Sequence, residues 1–118
     1  MKVKIPLYPY LYFTLRHFVE GIYHKVEHIL DKRVEMNLYK ESFTIHRFFR
    51  TMTLTQEHTW KCRNKNKEYD FAIEVDIAMT IYELLQKKDL TSAELVLQMK
   101  IHQALVSHNI SPLILALA

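Results

Sequence analysis

Glycine is nearly absent from this sequence: Gly21 is the single one in 118 residues. Tight β-hairpins use Asn-Gly, Asp-Gly or Gly-Gly to reach positive φ, and none of those dipeptides occurs. A fold built from many hairpins is therefore disfavoured, and helices joined by short polar loops are favoured. The same scarcity removes every glycine-rich phosphate cradle. There is no P-loop, no dinucleotide fingerprint and no Gly-x-Ser-x-Gly nucleophile turn, which argues against the common nucleotide-dependent enzyme classes. Cysteine is equally scarce. Cys62 stands alone, which excludes an intramolecular disulfide and points to a reducing, cytoplasmic setting. Long apolar runs are missing too, so no membrane span and no membrane partner are expected. Lys2 and Lys4 precede an apolar stretch in the manner of a signal peptide. Pro6 and Pro9 interrupt that stretch, and no small-residue cleavage site follows.

What is present describes an ordered globular chain. Hydrophobic residues make up 49% and charged residues 25%, enough apolar surface for a core without metal or disulfides. The length suits one domain over residues 1–118. The formal net charge of +3 is a mild bias, compatible with nucleic acid or an acidic partner and far from a dedicated polycation.

Four helices are predicted. Leu11, Leu15, Phe18, Val19, Ile22, Val26, Ile29 and Leu30 step by three and four, predicting a long amphipathic helix from Pro9 to about Arg33. Gly21 lies off that stripe, where a partner backbone has room to approach or where it is simply a surface glycine. Tyr39, Ser42, Ile45, Phe49, Met52 and Gln56 keep helical spacing and predict a second helix from about Asn37 to Lys61. A third is expected over Lys67–Lys88, where Ile77, Ala78, Ile81, Tyr82, Leu84 and Leu85 share a face. A fourth is expected over Ser92–His108. Its start carries the capping-box spacing Thr91-x-x-Glu94, with Leu90 and Leu95 placed as a hydrophobic staple. Asn109 suits the helix end, and Ser111 with Pro112 suits the start of a short terminal turn. Met1–Tyr8 reads as an edge strand or an extended arm.

The fold expected is all-α: an up-down four-helix bundle with a short C-terminal helical extension. The alternative is α+β, with a hairpin around 52–77 pairing Met52–Trp60 with Tyr69–Ile77. Its argument is alternation. Tyr69, Phe71, Ile73, Val75 and Ile77 interleave with Asp70, Ala72, Glu74 and Asp76, and Thr51, Thr53 and Thr55 are β-branched. The helix is preferred because the adjoining segment is helical and the turn lacks glycine.

The strongest candidate for function is the segment Trp60-Lys61-Cys62-Arg63-Asn64-Lys65-Asn66-Lys67. Lys61, Arg63, Lys65 and Lys67 would neutralise phosphates and Trp60 would stack a base. Arg47 and Arg50, set among Phe43, Phe48 and Phe49, extend that surface. The bland reading is a solvated loop whose cations suit a helix C-terminus. His17, His24, His28 and Asp31 form a stripe, with Glu20 and Glu27 adjacent. His24 and His28 have the i, i+4 spacing of two metal ligands. The stripe lies opposite the apolar face, so a solvated face is the better reading and no metal or cofactor is expected. Asp70 and Glu74 would form a buried acid pair if their segment were helical. Cys62 between Lys61 and Arg63 is read as a plain thiol. Asn109-Ile110-Ser111 is formally a glycosylation sequon. Leu113, Ile114, Leu115 and Leu117 close the chain as an apolar segment, read as a homo-oligomer contact or as a cap on the chain's own bundle. The expectation is a non-enzymatic accessory or regulatory protein acting by binding. Its partner is RNA or DNA, or alternatively a protein, and a metal-dependent enzyme is a distant third.

Overall fold

The computed structural model describes the backbone of residues 1–32 and 40–108, and the side chains of residues 1–27 and 43–108. Two strands and five helices occur among these residues. They are β1 (Lys2–Leu7), α1 (Pro9–Lys32), α2 (Lys40–Phe49), α3 (Leu54–Lys61), β2 (Tyr69–Glu74), α4 (Val75–Gln86) and α5 (Ser92–Ser107). The fold is α+β: helices packed against a two-stranded antiparallel sheet. The expected four-helix bundle is overturned in two places.

The first is residues 69–74, expected as helix and found as strand. As a helix the segment would turn Asp70 and Glu74 towards the buried face, at the cost of desolvating two carboxylates. As a strand it buries Phe71 and Ile73 and leaves Asp70 and Ala72 exposed. Its partner is not residues 52–60, so the alternative hairpin is also wrong. β2 pairs with β1, Val3 opposite Ile73 and Ile5 opposite Phe71. Three helices separate these strands in the chain, so no tight turn is needed and the lack of glycine carries no weight.

The two edges of the ladder differ in where their backbone groups point. The Val75 amide donates to the Met1 carbonyl at 3.1 Å, one step beyond the pair Lys2–Glu74. Antiparallel pairs alternate between hydrogen-bonded and non-bonded. Val3–Ile73, Ile5–Phe71 and Leu7–Tyr69 are therefore the bonded pairs. Lys2, Lys4 and Pro6, with Glu74, Ala72 and Asp70 opposite them, aim their backbone groups outward. Pro6 thus sits where its missing N–H costs no ladder bond.

The second departure is the helix expected over 37–61, which breaks into α2 and α3. Its start near Asn37 lies outside the described residues. The Thr51 and Met52 amides donate to the Phe48 and Phe49 carbonyls at 2.9 Å, and the Thr51 hydroxyl donates to the Phe48 carbonyl at 2.6 Å. Thr53 then caps α3, its hydroxyl accepting from the Gln56 amide at 3.1 Å. Threonine hydroxyls offer the backbone bonds that compete with helix continuation, and the break buries Met52 at the corner.

The long first helix matches its predicted span to within a residue, and Gly21 is exposed with open space where a Cβ would stand. The start of α5 is capped as expected. Thr91 accepts from the Glu94 amide and the Glu94 carboxylate accepts from the Thr91 amide. Glu94 is 7% exposed. Burial pushes its carboxyl up, but hydrogen bonds from Lys88 and Thr91 outweigh that and hold its pKa below the usual carboxylate value. Leu95 is 49% exposed, so the staple covers little of it. The core is one cluster, in which Val3, Ile5, Leu7, Phe71 and Ile73 of the sheet join Leu11 and Leu15 of α1, Ile81 and Leu85 of α4, and Leu97 and Ile101 of α5.

Candidate functional site

Trp60 is not a surface residue. It is 3% exposed and lies parallel to Tyr12 at 4.6 Å, with Tyr69 and Phe71 edge-on. Burial pushes the Tyr12 phenol pKa up against the pull of Arg16. The hydroxyl donates to the Gln56 side chain at 2.8 Å and accepts from Arg16 at 3.2 Å. The aromatic proposed from sequence as a base-stacking platform is thus the joint between α1, α3 and β2. Arg63 is engaged as well, its guanidinium 4.4 Å from the Trp60 ring centre and 4.6 Å from that of Tyr69.

The remaining cations of the segment are exposed. Lys61 ends α3, and Lys65 and Lys67 sit on a turn held by Asn64, whose side chain accepts from the Asn66 amide at 2.9 Å and whose carbonyl accepts from the Lys67 amide at 3.2 Å. None of the three makes an ion pair among the described residues. Arg47 and Arg50 are exposed on and just beyond α2. Arg50 contributes to the electrostatics of Glu27. Arg47 lines a different feature.

That feature is a groove of about 420 Å³ between α2 and β2. Thr44, Arg47 and Thr51 line its helical side. Lys2, Ala72 and Glu74 line its sheet side and Asp76 its α4 end, and Phe48, Met52, Phe71 and Ile73 give it apolar surface. It follows the Ala72–Glu74 part of the outward edge of β2, an edge along which Asp70, Ala72 and Glu74 direct their backbone groups. No described residue hydrogen-bonds to the outward amides of Asp70, Ala72 or Glu74. The corresponding edge of β1 carries Lys2, Lys4 and Pro6, the residues that discourage strand addition. The β2 edge carries neither lysine nor proline. An edge unpaired among the described residues, facing a groove with apolar and polar walls, is chemically suited to accept an extended chain through main-chain hydrogen bonds.

The other residues singled out from the sequence are dispersed. His17 and His24 are exposed, and His24 lies 3.6 Å from Glu20 one turn away. The side chains of His28 and Asp31 lie outside the described residues. No group of three or more metal-ligating side chains converges among the described residues. Asp70 is exposed and Glu74 partly so, with the Met1 amino group 3.5 Å from Glu74. Cys62 is exposed, its Sγ 3.6 Å from His58 Nε2, and no third described group orients that imidazole. Leu113, Ile114, Leu115 and Leu117, and the sequon at Asn109, lie outside the described residues. No helix among the described residues is long and apolar enough to cross a membrane.

Sequence reasoning missed the groove, because its two walls meet only in three dimensions. It also missed His46, which is buried, stacks on Tyr23 at 4.6 Å and hydrogen-bonds to Glu27 at 2.6 Å. That bond holds the Glu27 carboxyl below its usual pKa and pins α2 to α1. Compared with protein-family models, curated proteins and solved structures, the chain matches none.

Proposed function

We propose that this protein is a non-enzymatic accessory module that binds an extended segment of a partner protein in the groove between α2 and β2. The observation that supports this is the outward edge of β2, unpaired among the described residues and lying along a groove with apolar and polar walls. A strand laid there meets the outward amides and carbonyls of Asp70 and Ala72 and the amide of Glu74. Its inward side chains meet Phe48, Met52 and Phe71. Arg47, with five N–H donors and no ion pair among the described residues, stands across the groove to take carbonyls on the far edge of that strand. Ala72→Pro tests the reading. It removes an outward N–H and no bond of the β1–β2 ladder, so the fold is retained. Fluorescein-labelled peptides with a Val-Thr-Val centre, followed by anisotropy, are expected to bind the parent protein and to lose at least about tenfold in affinity to the variant, the scale of one or two lost hydrogen bonds plus a steric block. Equal binding by both proteins, or binding by neither, would reject the groove.

Nucleic-acid contact is the second reading, favoured by one observation: Lys61, Lys65 and Lys67 are exposed on one short stretch and make no ion pair among the described residues. It rests on phosphate contact alone, since Trp60 is committed to the core. Replacing the three lysines by alanine should flatten the log–log salt dependence of duplex DNA binding by roughly one per lost contact. An unchanged slope in a folded variant would discard it. Homo-oligomerisation through Leu113–Leu117 stays a proposal of the sequence, as does a cytoplasmic setting.

A further inference from the structure

We propose that the segment taken up by the β2 edge is basic at its two ends: an extended stretch with Lys or Arg at positions i and i+4 and apolar residues at i+1 and i+3. This rests on the groove reading above and assigns its partner chemistry.

The pattern follows from the strand's own alternation. Asp70, Ala72 and Glu74 share the outer face of the sheet, and Phe71 and Ile73 face the core. An added strand centred opposite Ala72 sets its i and i+4 residues beside the two carboxylates, whichever way it runs. Directly opposed cross-strand pairs of opposite charge are favourable, and like charges are not. Its i+1 and i+3 side chains point the other way, toward Phe48, Met52 and Phe71, where a charge would be desolvated without a partner. On its inner edge β2 already has one such pair: β1 sets Lys2 opposite Glu74, with Pro6 opposite Asp70 and Val3 and Ile5 on the core side.

The same register argues against a second copy of this chain as occupant. Two β2 strands paired antiparallel about Ala72 would set Asp70 of one copy against Glu74 of the other, twice. Both contacts are acid against acid. Parallel self-pairing in register stacks each acid on itself. The β2 edge is thus unsuited to its own kind and suited to a basic strand.

The test compares two fluorescein-labelled peptides that differ at two positions, Ser-Gly-Lys-Val-Thr-Val-Lys-Gly-Ser and Ser-Gly-Glu-Val-Thr-Val-Glu-Gly-Ser, by anisotropy at low and at physiological salt. The basic peptide is expected to bind about tenfold tighter, the combined scale of two attractive against two repulsive cross-strand pairs, and the gap should narrow with salt. The variant Asp70→Lys/Glu74→Lys should reverse the order. Asp70 is exposed with Pro6 opposite it, whereas a lysine at 74 would face Lys2 and the Met1 amino group. Circular dichroism therefore checks the fold, and Asp70→Lys alone, expected to narrow the gap, replaces the double variant if that one unfolds. Equal affinities for both peptides, abolished alike by Ala72→Pro, would overturn the charge preference and leave the groove as a strand site. Binding of neither peptide, or binding indifferent to Ala72→Pro, would overturn both. A parent protein that is dimeric by light scattering and becomes monomeric on Ala72→Pro would give the edge to a second copy and overturn the basic partner.

Discussion

Removal of residues 1–7 is expected to unfold the protein. Val3, Ile5 and Leu7 are completely or almost completely buried, facing α1, α4 and α5 within the one core cluster. Burying a side chain of this class is worth roughly 1.5–3 kcal/mol, so three of them represent about 5–9 kcal/mol, against a total of about 5–15 kcal/mol for an ordinary domain. The truncation also strands β2. Its inward amides and carbonyls at Tyr69, Phe71 and Ile73 would lose their ladder with β1, and a lone strand has no independent stability. Near-UV circular dichroism and amide chemical-shift dispersion check the result, with Lys2→Ser/Lys4→Ser as the control. That control changes two exposed side chains and should keep its fold. A truncated chain that unfolds cooperatively at the parent midpoint would show β1 to be a dispensable arm.

Local signals were legible. The stripe from Leu11 to Val26 placed α1, and the spacing Thr91-x-x-Glu94 placed the start of α5, because stripe and cap are both written within a few residues. The alternation from Tyr69 to Glu74 was legible too, and it was outweighed by the absence of glycine in the neighbouring turn. That inference fails physically because glycine governs hairpins, whereas β1 and β2 meet across three intervening helices. Nothing near Lys2 names Glu74 as its neighbour. The pairing is decided by which strand brings apolar residues to the same face of the core. The break between α2 and α3 had a visible cause in Thr51 and Thr53. A helical spacing that runs on through Met52 and Gln56 hid it.

The candidate site divides along the same line. Exposure of Lys61, Lys65 and Lys67 follows from their side chains and their turn, and local sequence carried it. Arg47 was singled out for a phosphate surface and instead lines the groove, because its placement depends on how α2 docks. That docking is set partly by His46, buried against Tyr23 and bonded to Glu27. No local pattern announces such a contact. The groove itself combines one strand's leftover hydrogen bonds with another element's side chains, a property of the assembled fold.

Trp60→Ala is expected to destabilise the protein by about 3–5 kcal/mol, the range for deleting a large aromatic from a core. The side chain is 3% exposed and is the meeting point of Tyr12, Tyr69 and Phe71. Its loss opens a cavity between α1, α3 and β2, and removes a parallel stack of the kind worth about 0.5–1.5 kcal/mol beyond area burial. Arg63 would keep Tyr69 and lose its other ring. Trp60→Phe, which keeps an aromatic in place, should cost distinctly less. Chemical denaturation followed by far-UV circular dichroism measures both, since the chain has one tryptophan and fluorescence from it is lost with the substitution. The experiment also separates two roles for this residue. A base-stacking tryptophan can be removed with little loss of stability and a large loss of oligonucleotide affinity, at about 1–3 kcal/mol per stacked base. A core tryptophan does the reverse: stability falls by several kcal/mol, and the molecules still folded bind any oligonucleotide as the parent does. A small stability change with a large affinity loss would return Trp60 to the surface and restore the nucleic-acid platform to first place.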